Sequence, residues 1–392
     1  MKDFTKQKRM GEIELNLNKF LNNKPLFYKR IDYDRMPNCW ERIKNKFQMP
    51  KKIIHIIGTN GKGSTGRFLS YYLYKLGFKV GHYSSPHILK FNERIWINGK
   101  DISDKKLEEA HSFLQKILSK KEIETLSYFE YTTLLAMKSF ENLDYVILEA
   151  GLGGEKDATA VFDKVMTLVT TIDFDHQNFL GDTIEEIAIT KLNAIQKKAI
   201  IGKQIHNEVY QLSGKYPFYI DYFDNYEIKK IRDFINKNNF ASYLADNLAL
   251  ALAFIVEENL KFDLKYLKGI ELNGRLQQIE KNVYIDVGHN PLAAKAILKE
   301  FQNKKIDLIY NTYNDKNYKE ILTILKPIIN KLSIIEIQND RIAPIDKVIK
   351  TAEELQIAVE KFEINKWKNS KKEKPQLIFG SFSVVEKFLN EK

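Results

Sequence analysis

The chain has 392 residues, of which 44% are hydrophobic and 29% charged, with a formal net charge of +11 at pH 7. This length suits two domains with a buried core in each, and the composition excludes a disordered or fibrous protein. No apolar run approaches the roughly 18 residues of a membrane helix, and the first residues, MKDFTKQKRMGEIELN, lack the apolar core of a signal peptide. The single cysteine, Cys39, excludes an internal disulfide and a cysteine-based metal cage. We therefore expect a cytoplasmic protein.

The positive charge is spread along the chain and is densest at residues 366–374. An excess of this kind is typical of proteins that bind nucleic acid or polyanionic small molecules. Since no known nucleic-acid-binding motif accompanies it, we expect small anionic substrates, no nucleic acid and no membrane partner.

The most informative stretch is a strand, a glycine-rich loop and a helix. The β-branched run Ile53–Ile57 leads into Gly58-Thr59-Asn60-Gly61-Lys62-Gly63-Ser64-Thr65, and apolar residues at helical spacing follow. Glycines let backbone N–H groups point inward, the helix N-terminus adds partial positive charge, and Lys62 can neutralise a β- or γ-phosphate. The motif predicts binding of a nucleoside triphosphate, although Gly63 separates the lysine from the hydroxyl residues, unlike in the common G-x-x-x-x-G-K-[ST] loop.

A second motif predicts a magnesium ligand. Glu149 follows the buried strand Tyr145–Leu148 and precedes several glycines. A carboxylate at the end of a parallel strand beside a phosphate loop suits Mg²⁺, which prefers hard oxygen ligands and takes few of them from protein. Ser85 and His176 also come just after predicted strands, so we expect them at the same edge of the sheet.

The alternation of strands and helices after residue 272 predicts a second, smaller domain. We expect an α/β protein: residues 1–271 form a P-loop NTPase-like domain with a mostly parallel sheet, and residues 272–392 form a Rossmann-like domain. In the latter, Arg275 offers a forked cation for phosphate oxygens and Asp286 can accept from a ribose. Residues 197–240 read as strand-like and polar.

Together these motifs resemble the folylpolyglutamate synthase and dihydrofolate synthase branch of the Mur-ligase-like ATP-dependent amide ligases. The resemblance spans about residues 40–382, with the motifs in the family's order. It rests on the segments GTNGKGST at 58–65, Ser-Pro-His at 85–87, Asn-Glu-Arg at 92–94, Gly-Arg-x-Gln at 274–277 and Asp-x-x-His-Asn-Pro at 286–291.

The resemblance implies a role for each matching residue. Catalytic roles fall to Lys62, His176 and Lys191; ATP contacts to Gly58, Thr59, Asn60, Gly61, Lys62, Gly63, Ser64, Thr65, Asn247, Arg275 and Asp286; magnesium ligation to Ser85, Glu149 and His176; and substrate contacts to Ser127, Tyr128, Phe129, Glu130, Asp157 and His289. Tyr28, Arg30 and Tyr33 are further candidates for the pteridine-side pocket. The implied cofactors are ATP and Mg²⁺ at two sites, and the family pattern also allows a monovalent cation.

Lys191 presents a charge problem that the resemblance resolves. A free ammonium about 4 Å from a metal would be repelled by roughly 4 kcal/mol per unit of metal charge at an effective dielectric near 20. In related enzymes the matching lysine is carbamylated by carbon dioxide, which makes it an anion, and the resemblance carries this to Lys191. The neighbouring sequence departs from the family, because Thr190 replaces the usual glutamate.

The implied activity is the ATP-dependent addition of L-glutamate to dihydropteroate, reduced folates or both, through an acyl phosphate, by a monomer whose domains close around the substrates. The loop at 155–160 departs from the family, since it lacks the usual arginine and the terminal asparagine. Three alternatives stay open: a Mur-type ligase acting on a peptidoglycan or cyanophycin precursor, a phosphoryl-transfer enzyme or nucleotide switch that shares only the phosphate loop, and a basic nucleic-acid-binding protein.

Overall fold

The computed structural model describes residues 16–24, 32–339 and 341–392, which divide into two compact units. The first unit runs to Asp224 and resumes over Asp246–Ile270, and the second comprises Asn225–Ala245 and Glu271–Lys392. The domain limits predicted from the sequence, 1–271 and 272–392, stay a prediction.

The described part of the first unit is built on a seven-stranded sheet. Its strands are β1 (Lys52–Ile57), β2 (Val80–Tyr83), β3 (Ile95–Ile97), β4 (Lys100–Asp101), β5 (Tyr145–Glu149), β6 (Met166–Val169) and β7 (Lys198–Ile201). They lie in the order β4-β3-β2-β5-β1-β6-β7 and are parallel except for β3 and β4 at one edge. β1 therefore lies inside the sheet and is covered on both faces, which explains its continuous apolar run.

The described part of the second unit has a six-stranded sheet of its own. Its strands are β8 (Gln277–Glu280), β9 (Val283–Asp286), β10 (Ile306–Tyr310), β11 (Ile329–Ile334), β12 (Val359–Lys361) and β13 (Gln376–Phe379). Their order is β12-β11-β10-β13-β9-β8, and only the β8–β9 pair is antiparallel. Both units are thus mostly parallel α/β structures, and the predicted fold class is confirmed.

The helices connect and cover these strands. They are α1 (Arg35–Ile43), α2 (Lys62–Lys75), α3 (Asp104–Ile117), α4 (Lys120–Thr125), α5 (Tyr128–Ser139), α6 (Gln177–Leu180), α7 (Ile184–Leu192), α8 (Asn207–Ser213), α9 (Asn225–Lys237), α10 (Leu244–Glu257), α11 (Pro291–Glu300), α12 (Tyr318–Leu325), α13 (Ile345–Glu354), α14 (Ile364–Asn369) and α15 (Phe382–Glu391). Residues 16–22 are also helical. Within the described parts of the chain, none of these helices has the length and apolarity needed to cross a bilayer.

The expectation of strand-like structure over residues 197–240 is wrong. β7 is the strand found there, whereas α8 and α9 account for much of the rest. In α9 the buried residues Ile231 and Ile235 are four positions apart, which is helical spacing. Polar residues surround these two isoleucines, so the apolar stripe is short and easily overlooked in the sequence.

The interior position of β1 predicts a large cost for truncating its side chains. Ile54 is fully buried, so Ile54→Ala should lower the free energy of unfolding of this unit by about 2–5 kcal/mol. Ile189→Ala removes the same atoms from a side chain that is 45% exposed, and should change it by less than about 0.5 kcal/mol. Urea denaturation followed by circular dichroism measures both, and equal effects would contradict the burial of β1.

Candidate functional site

The candidate site lies at one edge of the first sheet, where four parallel strands end. β2, β5, β1 and β6 are parallel neighbours, so the loops that follow them meet at the same edge. These loops begin at Ser84, Ala150, Gly58 and Thr170 respectively. In open α/β sheets ligands bind outside the carboxyl ends of the strands, and here the predicted phosphate loop and the predicted metal ligands follow those ends.

The phosphate loop is fastened to the end of β6. Thr59 and Asn60 donate their backbone N–H groups to the carbonyl oxygen of Thr171, at 2.8 and 3.2 Å. Gly58 has φ +137°, and a Cβ atom there would lie 2.0 Å from Thr170 Oγ1. Because an L side chain fits neither that conformation nor that space, the loop requires glycine at this position.

Asn247 contacts the same loop from α10. A Cβ atom on Gly61, which has φ +92°, would lie 2.4 Å from Asn247 Oδ1. Gly61 also immediately precedes the first residue of α2. The fold thus brings Asn247, nearly 190 residues further along the chain, to the loop with which the sequence prediction grouped it.

Two hydroxyl groups at the start of α2 are arranged to receive a ligand. Ser64 Oγ and Thr65 Oγ1 are buried and have no hydrogen-bond partner within the described structure. Buried polar groups are normally hydrogen-bonded, so such groups at a helix N-terminus suit phosphate oxygens or a metal bound to them. The residues present therefore fit the triphosphate predicted from the sequence.

Lys62 and Lys191 converge on one backbone oxygen. Lys62 Nζ donates to the Gly58 carbonyl at 3.0 Å and to the Thr59 carbonyl at 3.1 Å. Lys191 Nζ donates to the same Gly58 carbonyl at 3.1 Å. Burial, together with the nearby charge of Lys62, lowers the pKa of Lys191 to about 7, although Asp175 and Asp157 oppose this. Lys191 is thus a buried amine that is substantially neutral near physiological pH.

Two of the three predicted metal ligands are neighbours. The backbone N–H of Ser85 donates to Glu149 Oε2 at 3.2 Å, and Glu149 is buried. His176 lies at the same sheet edge, where it precedes α6 with φ +50°, and its Nε2 is 3.7 Å from Asp175 Oδ2.

These donors fit a divalent ion that borrows ligands. Among residues 16–24, 32–339 and 341–392, no three His, Cys, Asp or Glu side chains group closely enough to hold a metal by themselves. One carboxylate with a hydroxyl and an imidazole suits an ion that takes its other ligands from phosphate and water, as Mg²⁺ does beside a nucleotide.

Ser127 and Glu130, predicted to contact substrate, form the start of α5. The backbone N–H of Glu130 donates to Ser127 Oγ at 3.1 Å, and that of Ser127 donates to Glu130 Oε2 at 2.7 Å. This reciprocal pair is a capping box, which satisfies backbone groups at the helix end. Glu130 also accepts from Arg35 Nε at 2.8 Å. Of the lead-in candidates, Tyr33 is 42% exposed, and Tyr28 and Arg30 lie outside the described residues.

The two aromatic residues between them form an aromatic wall. Phe129 stacks on Tyr83 with ring centroids 5.8 Å apart, and a Cβ atom on Gly151 would lie 2.6 Å from its ring. The guanidinium carbon of Arg94 lies 5.3 Å from the centre of the Tyr128 ring. Flat rings next to a cation can hold a planar heterocycle that carries an acid group.

Asp157 organises the loop that follows β5. Its Oδ2 accepts from the N–H groups of Gly151 and Leu152, both at 3.0 Å. Its Oδ1 accepts from the N–H and hydroxyl of Thr159, at 2.9 and 2.5 Å. The carboxylate is therefore satisfied by its own loop, and its predicted contact with substrate stays a prediction.

The second unit brings Arg275 and Asp286 together. Asp286 Oδ2 accepts from the Tyr243 hydroxyl at 2.7 Å and from the Leu276 N–H at 2.8 Å, and Oδ1 accepts from the Gly288 N–H at 2.7 Å. Burial raises the pKa of Asp286, whereas these hydrogen bonds and the charge of Arg275 oppose the rise. Sequence reasoning missed Tyr243, which is 43 residues from Asp286 and carries no motif.

His289 follows Asp286 in the turn that leads to α11. Its Nδ1 donates to the Val287 carbonyl at 3.1 Å, and its ring lies 6.1 Å from that of Tyr313. The three residues that the sequence singled out in this unit thus belong to one segment at the end of β9.

Comparisons with known proteins agree with this architecture. No family model matches the chain. The dihydrofolate synthase/folylpolyglutamate synthase of Haemophilus influenzae is 30% identical to it, over 92% of this chain and 94% of that protein. Among solved structures, Helicobacter pylori folylpolyglutamate synthetase is 36% identical with a TM-score of 0.75, covering 96% of this chain and 97% of that one. A bifunctional folylpolyglutamate synthase/dihydrofolate synthase from Yersinia pestis, complexed with AMPPNP and a Mn ion, is 25% identical with a TM-score of 0.79, covering 96% and 97%.

The crowding at Gly58 predicts that nucleotide binding depends on it. Gly58→Ala should weaken binding of a fluorescent ATP analogue at least about tenfold, because the added Cβ would collide with Thr170 and move the loop. Gly77→Ala is a matched control, since Gly77 also has positive φ but a Cβ there meets no atom within 4 Å. Fluorescence titration gives the Kd of each variant; equal Kd values would show that the loop conformation does not govern binding.

Proposed function

The chain belongs to the dihydrofolate synthase/folylpolyglutamate synthase family, and on this basis we propose that it uses ATP to join L-glutamate to dihydropteroate, to reduced folates or to both. The observation that carries the proposal is the single sheet edge at which the phosphate loop, the buried hydroxyls of Ser64 and Thr65, and the Ser85–Glu149 pair meet. Family membership favours this activity over the other Mur-type substrates, a phosphoryl-transfer enzyme and a nucleic-acid-binding protein.

In the proposed reaction the phosphate loop holds ATP while the acid acceptor is activated. An oxygen of the acceptor carboxylate bonds to the γ-phosphorus, the bond to the departing ADP breaks, and an acyl phosphate forms. Lys62 neutralises charge that develops on the transferred group. The glutamate amine then attacks the acyl carbon, loses a proton and displaces phosphate, which leaves an amide. Ser85, Glu149 and His176 would hold Mg²⁺, which supplies positive charge beside the β- and γ-phosphates.

The acceptor pocket is assigned to the aromatic wall at the start of α5. Phe129, stacked on Tyr83, and Tyr128, beside Arg94, offer apolar faces for a pterin ring. The capping box of Ser127 and Glu130 supports this assignment, because it fixes the helix end that carries both rings.

The remaining assignments complete the proposal. Asn247, Arg275 and Asp286 are assigned to ATP, His289 to substrate, and the protein is proposed to act as a cytoplasmic monomer. A second magnesium site and a monovalent cation remain part of the family expectation.

Replacing Lys62 tests the assignment directly. Lys62→Ala should abolish glutamate-dependent ADP release, because the transferred phosphoryl group loses its nearest cation, while circular dichroism stays unchanged. Lys75→Ala, at the exposed end of the same helix, should retain wild-type turnover. A coupled ADP assay with dihydropteroate and with tetrahydrofolate, followed by mass spectrometry of the products, identifies the acceptor. Unchanged ADP release in Lys62→Ala would contradict the mechanism.

Carbamylation of Lys191 is the second part of the proposal. Its amine is buried and its pKa is lowered to about 7, first by burial and then by the charge of Lys62. A neutral amine attacks carbon dioxide to give a carbamate and a proton, and the resulting anion would sit favourably beside Lys62 and a metal ion. Burial alone is insufficient evidence, since the buried Lys164 has a pKa of about 8.

The carbamate should be visible by ¹³C NMR in protein equilibrated with ¹³CO₂. At fixed carbon dioxide pressure the signal should grow between pH 6 and pH 8, because the neutral fraction of Lys191 rises as the pH passes its pKa of about 7. The signal should vanish in Lys191→Ala and persist in Lys164→Ala, which removes the other buried amine. A signal that survives Lys191→Ala would assign the carbamate to another amine and refute this part of the proposal.

A further inference from the structure

A buried imidazole in β1 begins a chain of hydrogen bonds that leads to the loop after β5. His55 Nε2 lies 2.8 Å from Thr159 Oγ1, and the Thr159 hydroxyl donates to Asp157 Oδ1 at 2.5 Å. A hydroxyl has one proton, and this one is given to the carboxylate, so the His55 Nε2–H must donate to Thr159. His55 and Thr159 are fully buried, and Asp157 is 7% exposed.

The chain continues to the aromatic wall. The other oxygen of Asp157 accepts from the N–H groups of Gly151 and Leu152. Gly151 packs so closely on Phe129 that a Cβ atom there would lie 2.6 Å from the ring. Three successive contacts therefore connect the imidazole in the central strand to the face of Phe129.

The loop is also held at the next residue. The Ala160 carbonyl accepts from the buried Lys164 Nζ at 2.5 Å and from Gln196 Nε2 at 3.4 Å. Burial, and then the charge of Lys164, lowers the pKa of His55 well below its usual value, so the imidazole stays neutral and keeps one N–H to donate. These contacts come from beneath the loop and leave its outer face available.

We propose that His55 is a positioning residue for the acid acceptor: by donating to Thr159 it orients Asp157, and through it the Gly151–Leu152 turn that backs Phe129. This inference rests on the proposed function, since the aromatic wall is the assigned acceptor pocket. The phosphate loop follows His55 in the same strand but is fastened elsewhere, by hydrogen bonds from Thr59 and Asn60 to Thr171. The effect of His55 should therefore fall on the acceptor and not on ATP.

Steady-state kinetics with the full chain test this separation. His55→Leu should raise the KM for dihydropteroate about tenfold and leave the KM for ATP within about twofold, because a buried hydroxyl loses its donor. His55→Gln places an amide N–H near the position of Nε2 and should restore most of the loss. A KM for ATP that rises as much as that for the acceptor, or no rise in either, would overturn the inference.

Variants at Thr159 provide a second test that does not depend on replacing the imidazole. Thr159→Val removes the hydroxyl at constant volume and should reproduce the rise in the acceptor KM, whereas Thr159→Ser should not. Thr167→Val is the matched control: Thr167 lies in register with His55 on β6, is equally buried, and its hydroxyl has no partner in the described structure. The double variant His55→Leu/Thr159→Val should be no worse than either single variant, since both break one chain. Additive effects would contradict a shared chain.

A structural measurement is independent of turnover. In protein labelled with ¹⁵N-histidine, the His55 resonance should be that of a neutral ring with the proton on Nε2, and Thr159→Val should change it. A proton on Nδ1 would overturn the proposed direction of the chain. A wild-type protein that does not ligate glutamate would refute the proposed function. Ligation with an unchanged acceptor KM in both His55→Leu and Thr159→Val would refute this inference alone.

Discussion

The structure depends most on the accumulation of positive charge at the carbonyl oxygen of Gly58. Two lysines from different helices, Lys62 and Lys191, donate to this one atom, and one of them is completely enclosed. Like charges in a poorly solvated place repel one another, which is why the amine of Lys191 gives up its proton so readily. The neighbouring backbone N–H groups at the start of α2 add further positive potential. Such a site is stable when an anion enters it, and this accounts for its suitability for phosphate.

The same reasoning explains why the metal ligands are so few. The Ser85–Glu149 pair contributes one buried carboxylate, too little to hold a divalent ion against water without help. Triphosphate oxygens provide what the protein omits. The nucleotide and the ion therefore belong to one binding event, with the glycine-rich loop supplying the geometry and the loop after β5 supplying the charge.

Elements with a local signature could be predicted from the sequence, and contacts between distant segments could not. The phosphate loop and the strand ending at Glu149 are continuous stretches with a clear periodicity, and the fold brings Asn247 to the former as expected. Ser127 and Glu130 show the limit of motif reading, because their spacing is also that of a capping box, and this structural duty is visible in the sequence. Thr170, Tyr243 and the pairing of His55 with Thr159 arise only from the packing of strands, and no spacing announces them.

The two loops that flank β1 are anchored from different sides. The phosphate loop is tied to the residues after β6, whereas the loop of Asp157 is held by contacts that originate beneath it. An inherited change in the second set need not disturb the first. Lineages of this fold are thus free to drift in the acid that they accept while keeping one ancestral way of spending ATP, and residues 155–160, where this chain leaves the family pattern, are where such divergence would be recorded.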